Sequence, residues 1–301
     1  MESKFLMRRL KALLPVAGIV VLAVVAVTTA MTILGGDAPG SPVIAPSVAA
    51  TVPGGSQSGA PSAAASVPGY SPGYMEPLPS TPPVVRTERR RERDPDGVWY
   101  VDFSYPQFQP DTTPLGYIVN QDIASEIDTR IAAFEGGPAA VRQVPGKRNQ
   151  LTGSYGIDML SPDLVSFTLR WVDDTAIDHP AMSVETLNYA LNTGQRLDLG
   201  AIFADQPGAF AVLSEQSRIQ LRQSLGNAYD QTAAELGTSP IATNFTNWAL
   251  TEAGLKITFS EFQVGDYATG TPFVVVSWSD LKLVMRPDGP VSRLAGFPAS
   301  T

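Results

Sequence analysis

The sequence predicts an α+β fold in which helices pack on a mixed or antiparallel sheet. Runs of alternating apolar and polar residues, which are typical of strands, are interleaved with two stretches whose apolar residues recur at helical spacing. Their order is one strand, a helix, further strands, a second helix and more strands, which lacks the regular alternation of a parallel α/β sheet. We place this folded region at residues 97–290.

The first half of the folded region predicts a strand, a helix and a hairpin. The strand ends at Pro106, and its apolar residues are Trp99, Val101, Phe103 and Tyr105. The helix begins at Gly116, and its apolar stripe consists of Val119, Ile123, Ile127, Ile131 and Phe134. Residues 151–160 and 164–172 then read as two strands that turn at residues 161–163.

The second half predicts a strand over 184–191, two helices and a closing hairpin. The longer helix begins near Pro207, and its buried stripe is Phe210, Leu213, Ser217, Leu221 and Leu225. A shorter helix covers 227–236. In the hairpin, Lys256 and Thr258 of strand 255–259 should be exposed to solvent. Strand 273–278 should be covered on both faces, with Phe273 buried. A short helix over 280–285 closes the region.

Residues before the folded region divide into a tail, an anchor and a tether. Residues 1–11 are basic, and residues 12–35 include an uncharged apolar run long enough to cross a hydrocarbon core of about 30 Å. Because basic residues stay inside, we expect a single-pass cell-membrane protein with a cytoplasmic N-terminus and an extracytoplasmic domain. A signal peptide cleaved near Thr28-Thr29-Ala30, giving a secreted effector, is the alternative.

Residues 36–96 are rich in Pro, Ser, Ala and Gly, and they predict a disordered tether. The tether ends in an arginine-rich collar at residues 86–94, which we interpret as a solvated charged segment. Two alternatives are an exposed proteolytic cleavage site and a contact with anionic wall polymers.

Composition excludes several classes of function. The chain has no cysteine, which excludes disulfides, thiolate zinc sites and a cysteine nucleophile, and we predict neither a metal nor a cofactor. Residues 97–301 hold 12 Lys+Arg and 22 Asp+Glu, a net charge of 12 − 22 = −10. This charge disfavours nucleic acid as a partner and favours a cationic one.

Several motifs in the folded region resemble a known family. They are His179-Pro180, Leu187-Asn188-Tyr189, Asn192-Thr193-Gly194, Leu197-Asp198-Leu199-Gly200, Asn244-Phe245, Gly254-Leu255-Lys256-Ile257-Thr258-Phe259 and Phe262-Gln263-Val264-Gly265-Asp266-Tyr267-Ala268-Thr269-Gly270. Together they resemble the C-terminal extracytoplasmic domain of RsiV-type proteins. Tyr105-Pro106 and the helix after it resemble the module that precedes this domain. The resemblance divides the chain into an N-terminal module at 97–178, a C-terminal module at 179–290 and a tail at 291–301.

The RsiV-type family includes membrane-anchored anti-sigma factors whose outer domain binds lysozyme, the outer module of a peptidoglycan deacetylase, and secreted mycobacterial immunogenic proteins. The resemblance implies a grasp-like α+β unit that binds a lysozyme-like muramidase or peptidoglycan. Residues 1–11 are too short for a sigma-binding domain, so we do not expect that activity.

The glycine-flanked loop at 266–270 is the candidate binding site, because it combines an acid and an aromatic on a sheet edge. Its candidate residues are Asp266, Tyr267, Thr269 and Gly270. The alternative is that Tyr267 packs back on the sheet while the glycines supply turn conformations.

His179 is the candidate catalytic residue, since it is the only imidazole in the chain. With it the protein would be an extracytoplasmic hydrolase such as an esterase. No Gly-x-Ser-x-Gly motif accompanies it, and the alternative is a structural histidine in a loop. The sequence therefore predicts a binding or sensor domain, with a hydrolase as the second hypothesis.

Overall fold

The computed structural model describes residues 80–109, 113, 115–137, 148–175 and 179–298. The predicted anchor at 12–35 and most of the predicted tether lie outside these residues. Within the described ranges, no helix has both the length and the apolar character needed to cross a membrane.

The N-terminal part is a six-stranded mixed sheet with the strand order β1-β2-β3-β4-β5-β6. Strands β2 and β3 run parallel, and all other neighbours run antiparallel. The strands are β1 (Val85–Arg93), β2 (Trp99–Phe108), β3 (Asn149–Leu160), β4 (Leu164–Asp174), β5 (Ala181–Ala190) and β6 (Gln195–Arg196). The α+β class, the mixed sheet and the hairpin at 161–163 are confirmed.

Helix α1 (Gly116–Gly136) lies between β2 and β3 in the chain and covers one face of this sheet. Its buried residues include all five members of the predicted stripe. They meet inward-facing strand residues in one core, where the rings of Phe103 and Trp171 stack with centroids 3.7 Å apart. The predicted helix and its buried face are therefore confirmed.

Strand β1 corrects the prediction that residues up to 96 are disordered. Residues 85–93 pair with β2 along their whole length, and Arg89 donates to both carboxylate oxygens of Asp102 at 2.5 Å. The sequence did not predict this strand because it lies at a sheet edge. There, exposed charged residues replace the apolar alternation and prevent edge-to-edge aggregation. The arginine collar is thus part of the folded sheet.

Strand β2 runs two residues past Pro106, where the prediction ended it. Pairing with β3 stops at Phe103, and the N–H of Gln109 donates to Val84 on the β1 side. Backbone donors alternate along a strand, so position 106 faces the unpaired side, where a missing N–H breaks no ladder bond.

The C-terminal part is built on a three-stranded antiparallel sheet with the order β7-β8-β9. Its strands are β7 (Trp248–Leu250), β8 (Gly254–Thr258) and β9 (Phe273–Ser277). The helices around it are α2 (Leu199–Ile202), α3 (Gln206–Leu225), α4 (Gln231–Gly237) and α5 (Trp278–Leu281). Short 3₁₀ turns cover Gly226–Ala228, Ala242–Phe245, Tyr267–Thr269, Lys282–Val284 and Ser292–Ala295.

The predicted helix near Pro207 is confirmed as α3. Asp205 caps its N-terminus by accepting from the N–H of Gly208, and four of the five predicted stripe residues are buried, Leu225 being only partly so. The single helix predicted over 227–236 is instead a 3₁₀ turn followed by α4, because Asp230 starts a new helix by accepting from the N–H of Ala233. The terminal helix begins two residues earlier than predicted.

The residues predicted to face the core in β8 and β9 are buried, except Phe273, which is 58% exposed at the start of β9. Lys256 and Thr258, predicted to be exposed, are also buried, and the Lys256 ammonium lies 2.6 Å from the Asp158 carboxylate of β3. The second face of β8 packs against the first sheet, a contact between distant parts of the chain that local alternation does not encode.

The module boundary at 178/179 stays a prediction, and in the structure β5, which follows it, pairs with β4 over ten residues. The structure has two hydrophobic cores among the described residues. One core holds residues from 101 to 191, and the other holds residues from 202 to 295 together with Met159, Leu164 and Ala190 of the first sheet.

Two side-chain amides close the edges of the small sheet. Asn188 of β5 donates to the carbonyl of Trp248 at 2.8 Å and accepts from the N–H of Leu250 at 3.2 Å. On the opposite edge, Gln220 of α3 donates to the carbonyl of Val275 at 2.9 Å and accepts from the N–H of the same residue at 3.0 Å. Each amide replaces a neighbouring strand, since it satisfies one backbone donor and one acceptor.

We predict that Asn188→Ala lowers the free energy of unfolding by about 1–3 kcal/mol, because it removes the side-chain partner of two buried backbone groups of β7, the carbonyl of Trp248 and the N–H of Leu250. Gln220→Ala is the matched control at a half-buried amide, and it should cost less. Denaturant titration of both variants checks this, and equal losses would contradict the role given to Asn188.

Candidate functional site

The structure brings the two predicted sites together. The rings of His179 and Tyr267 lie 4.2 Å apart between centroids, and Phe262 lies 6.1 Å from Tyr267. Exposed fractions are 57% for Phe262, 42% for Tyr267 and 38% for Met182, at the start of β5. We call these four residues the aromatic patch. It combines the entry to β5 with the turns between β8 and β9.

Phe262 has a positive φ of 65°, and it is the only described residue other than glycine with one. This conformation is strained for a bulky side chain and persists only where its surroundings fix it. Here it holds an apolar ring out in solvent. Strain and exposure together make Phe262 a candidate contact residue.

Gln263 fixes the turn that carries Phe262. Its amide oxygen accepts from the N–H of Ser260 at 2.9 Å, and its amide nitrogen donates to the carbonyls of Gly237 and Asn244 at 2.9 and 3.0 Å. A Cβ at Gly237 would lie 1.9 Å from the Gln263 carbonyl oxygen, so α4 can approach the turn only with glycine there. The turn is therefore rigidly attached to the small sheet.

Glu261 joins the same turn to the first sheet. One carboxylate oxygen accepts from the N–H of Met182 at 3.2 Å, while the other is buried and has no hydrogen-bond partner. A buried acceptor without a donor is costly, so this carboxylate carries an unpaired polar atom beside the patch. Glu261 thus brings a negative charge to the aromatic patch.

The four predicted loop residues divide into two roles. Asp266 accepts from both the N–H and the hydroxyl of Thr269 at 3.2 Å, and Gly270 ends the turn with a φ of 64°. These three residues shape the loop. Tyr267 is the member that faces solvent, and its ring contacts His179.

The surroundings of the His179 imidazole give little support to a catalytic role. Its Nδ1 lies 3.4 Å from the carbonyl oxygen of Pro180, and within the described ranges no hydroxyl or carboxylate hydrogen-bonds to it. The same part of the chain contains no group of three or more side chains that could hold a metal ion. The hydrolase hypothesis therefore stays a sequence-based prediction, and the imidazole acts here as an aromatic surface.

Sequence reasoning missed Phe262, Met182 and Glu261 as site residues. Phe262 was part of the family motif, but a positive φ at phenylalanine has no local sequence signal. Met182 and Glu261 became site residues only through the contact between β5 and the turn, which are 79 residues apart.

A second cluster of charged side chains lies between α1 and the β5–β6 edge. Arg196 donates to Glu126 at 2.7 Å and more weakly to Glu185 at 3.5 Å, and the hydroxyl of Tyr189 donates to Asp122 at 2.7 Å. Burial, followed by the neighbouring Glu126 carboxylate, raises the pKa of Glu185 to about 7. Burial opposes ionisation of Glu126 too, but hydrogen bonds from Glu185 and Arg196 lower its pKa overall.

Every charged group in this cluster has a partner within it, so we interpret it as a clamp between helix and sheet. Burial and the bond to Asp122 raise the pKa of Tyr189, which keeps its hydroxyl protonated as the donor. The spacing of Asp122 and Glu126 along α1 was visible in the sequence, but their partners on β5 and β6 were not.

Comparison with known proteins finds a family domain within the C-terminal part of the chain. Residues 201–279 match the family described as protein of unknown function (DUF3298), a range that includes the Phe262 turn and the Tyr267 loop but not His179. No curated protein matches the sequence. The RsiV-type assignment remains a prediction.

Two solved structures are similar to this one. A DUF3298 family member from Bacteroides fragilis is 12% identical with a TM-score of 0.51, and the match covers 72% of this chain and 98% of that one. A DUF3298 family protein from Pseudomonas aeruginosa is 16% identical with a TM-score of 0.49, covering 71% and 96%. At 12% identity, the similarity to the Bacteroides fragilis protein shows a shared fold and nothing about function.

We predict that Phe262→Gly is more stable than Phe262→Ala by about 0.5–1 kcal/mol, since relief from positive φ outweighs the entropy of glycine. At Phe273, which lies in an ordinary strand, Phe273→Gly should be the less stable of the matching pair. Thermal unfolding of the four variants checks both orders. A Phe262→Ala variant more stable than Phe262→Gly would show that the turn is unstrained.

We also predict that stability falls as pH rises towards 7 because of Glu185. Its pKa in the fold, about 7, lies above its ordinary value of 4.5, so the folded state holds an extra proton between these values. That contribution is complete below about pH 4.5 and is lost as pH rises through 7. Glu185→Gln should flatten this part of the stability profile, and an unchanged slope in the variant would contradict the assignment.

Proposed function

We propose that this protein is a membrane-anchored extracytoplasmic binding domain of RsiV type, whose aromatic patch recognises a cationic protein partner. A lysozyme-like muramidase is the leading candidate. The observation that carries the proposal is the assembly of His179, Phe262 and Tyr267 into one exposed surface held by a strained turn.

The patch has the physical character of an interface centre. Aromatic side chains supply large contact areas at low entropy cost, and a few of them dominate the binding energy of most interfaces. Phe262 and Tyr267 are both exposed and both positioned by the bonds of their own turns. A surface already ordered before binding loses less entropy on association.

The charge around the patch favours a basic partner. The turns that carry Phe262 and Tyr267, residues 260–270, contain the acidic residues Glu261 and Asp266 and no lysine or arginine. Residues 97–301 carry a net charge of −10. Acidic groups beside an apolar centre attract a basic protein and disfavour an anionic one.

The location of the domain rests on the sequence. An anchor at 12–35 and a Pro- and Ser-rich tether would hold the domain outside the cell, where it would meet muramidases and wall fragments. Soluble peptidoglycan is the other candidate ligand, since aromatic rings also stack on sugars.

The test is binding of the full-length protein, in detergent, to hen-type lysozyme at 0.15 M and 0.5 M salt. Phe262→Ala and Tyr267→Ala should each weaken binding by about tenfold or more. Phe273→Ala is the matched control, because Phe273 is as exposed as Phe262 (58% and 57%) but lies outside the patch. It should leave affinity unchanged.

The salt dependence separates a shaped interface from charge attraction alone. We expect binding at 0.5 M salt to persist, because buried aromatic contacts are not screened. Binding lost at high salt, or weakened equally by Phe273→Ala, would contradict the proposal. Binding of soluble peptidoglycan fragments without lysozyme binding would keep the patch as a site but replace the partner.

A further inference from the structure

A cleft of about 640 Å³ opens at the end of the β1–β2 hairpin, on strands that β3 and β4 separate from β5, and outside the segment matched by the family. The side chains that matter for its chemistry are Arg91, Arg93, Asp94, Tyr100 and Arg148. The cleft is thus cationic, in a chain whose residues 97–301 carry a net charge of −10.

Among the described residues, two of these arginines, Arg93 and Arg148, form no ion pair. Arg91 is paired only loosely, with its Nε 3.5 Å from Asp102, whose oxygens are already held by Arg89.

The acids that line the cleft are engaged elsewhere. Glu92 pairs with Arg90. One carboxylate oxygen of Asp94 accepts from the N–H groups of Asp96 and Val98 at 3.0 and 3.2 Å, which closes the hairpin turn. With Glu92 matched by Arg90, Asp94 is the remaining acid of the lining, and Arg91, Arg93 and Arg148 outnumber it.

The strand register places the free cations together with an aromatic ring. Arg93 lies directly opposite Tyr100, and Gln150 lies opposite Tyr100 on the other side. Arg148 precedes Gln150 by two residues, so it lies on the same side of the sheet. Two guanidinium groups thus flank one tyrosine across three neighbouring chain segments.

We propose that this cleft binds a linear polymer that carries carboxylate or phosphate groups. A guanidinium presents a planar pair of donors that matches the oxygens of either anion, and Tyr100 offers a ring for the uncharged part of the chain. An open cleft at a sheet end admits a polymer that passes through it. The proposal is independent of the aromatic patch and of its partner.

The experiment measures binding of three oligomers to the full-length protein by fluorescence anisotropy at 0.1 M salt. Oligogalacturonate carries carboxylates, polyphosphate carries phosphates, and maltohexaose is neutral. We expect one or both anionic oligomers to bind, with the tighter one identifying the anion, and we expect maltohexaose not to bind. Arg93→Gln and Arg148→Gln should each weaken the anionic binding by about tenfold.

Arg170→Gln is the matched control. Arg170 is an exposed arginine of β4 on the same sheet, it forms no ion pair within the described ranges, and it lies outside the cleft. It should leave affinity within about twofold. Absence of anion binding, equal weakening by all three variants, or equal binding of maltohexaose would overturn the proposal. Lysozyme binding by Arg93→Gln should stay unchanged, which separates this site from the aromatic patch.

Discussion

The fold depends on one buried polar joint between its two sheets. Ser166 and Asn188 of the large sheet hydrogen-bond to each other at 2.6 Å, and both accept from the N–H of Leu250 in the small sheet. The small sheet packs in a large apolar core with α3, and the joint fixes its position on β4 and β5. Amides of β5 and α3 complete its edges, and the ion pair of Lys256 with Asp158 adds a second link.

This joint also creates the candidate site. With the small sheet fixed against β4 and β5, the turn after β8 reaches the start of β5, where Glu261 accepts from Met182. His179 and Tyr267 meet for the same reason. The site therefore belongs to neither half of the chain. The stability that the joint provides is what allows Phe262 to keep a strained conformation, since local strain persists only where surrounding contacts outweigh it.

Local periodicity explains what the sequence could predict. The stripe of α1, the start of α3 and the hairpin at 161–163 each follow from residues close together in the chain. Strand β1 was missed because its own residues are mostly charged and lie at a sheet edge. The burial of Lys256 on the second face of β8 was missed because its partner Asp158 lies 98 residues away. Tyr267 and His179 were selected separately for chemical character, but only tertiary structure shows their contact.

The central claim is that the turns at 261–270 and the start of β5 form one recognition surface. Hydrogen exchange of the full-length protein with and without hen-type lysozyme tests it most directly. The account predicts that bound lysozyme slows exchange at 261–270 and at residues 181–183 together, while β1 exchanges at its free rate. Protection confined to β1 or to α3, with both patch segments unchanged, would contradict it.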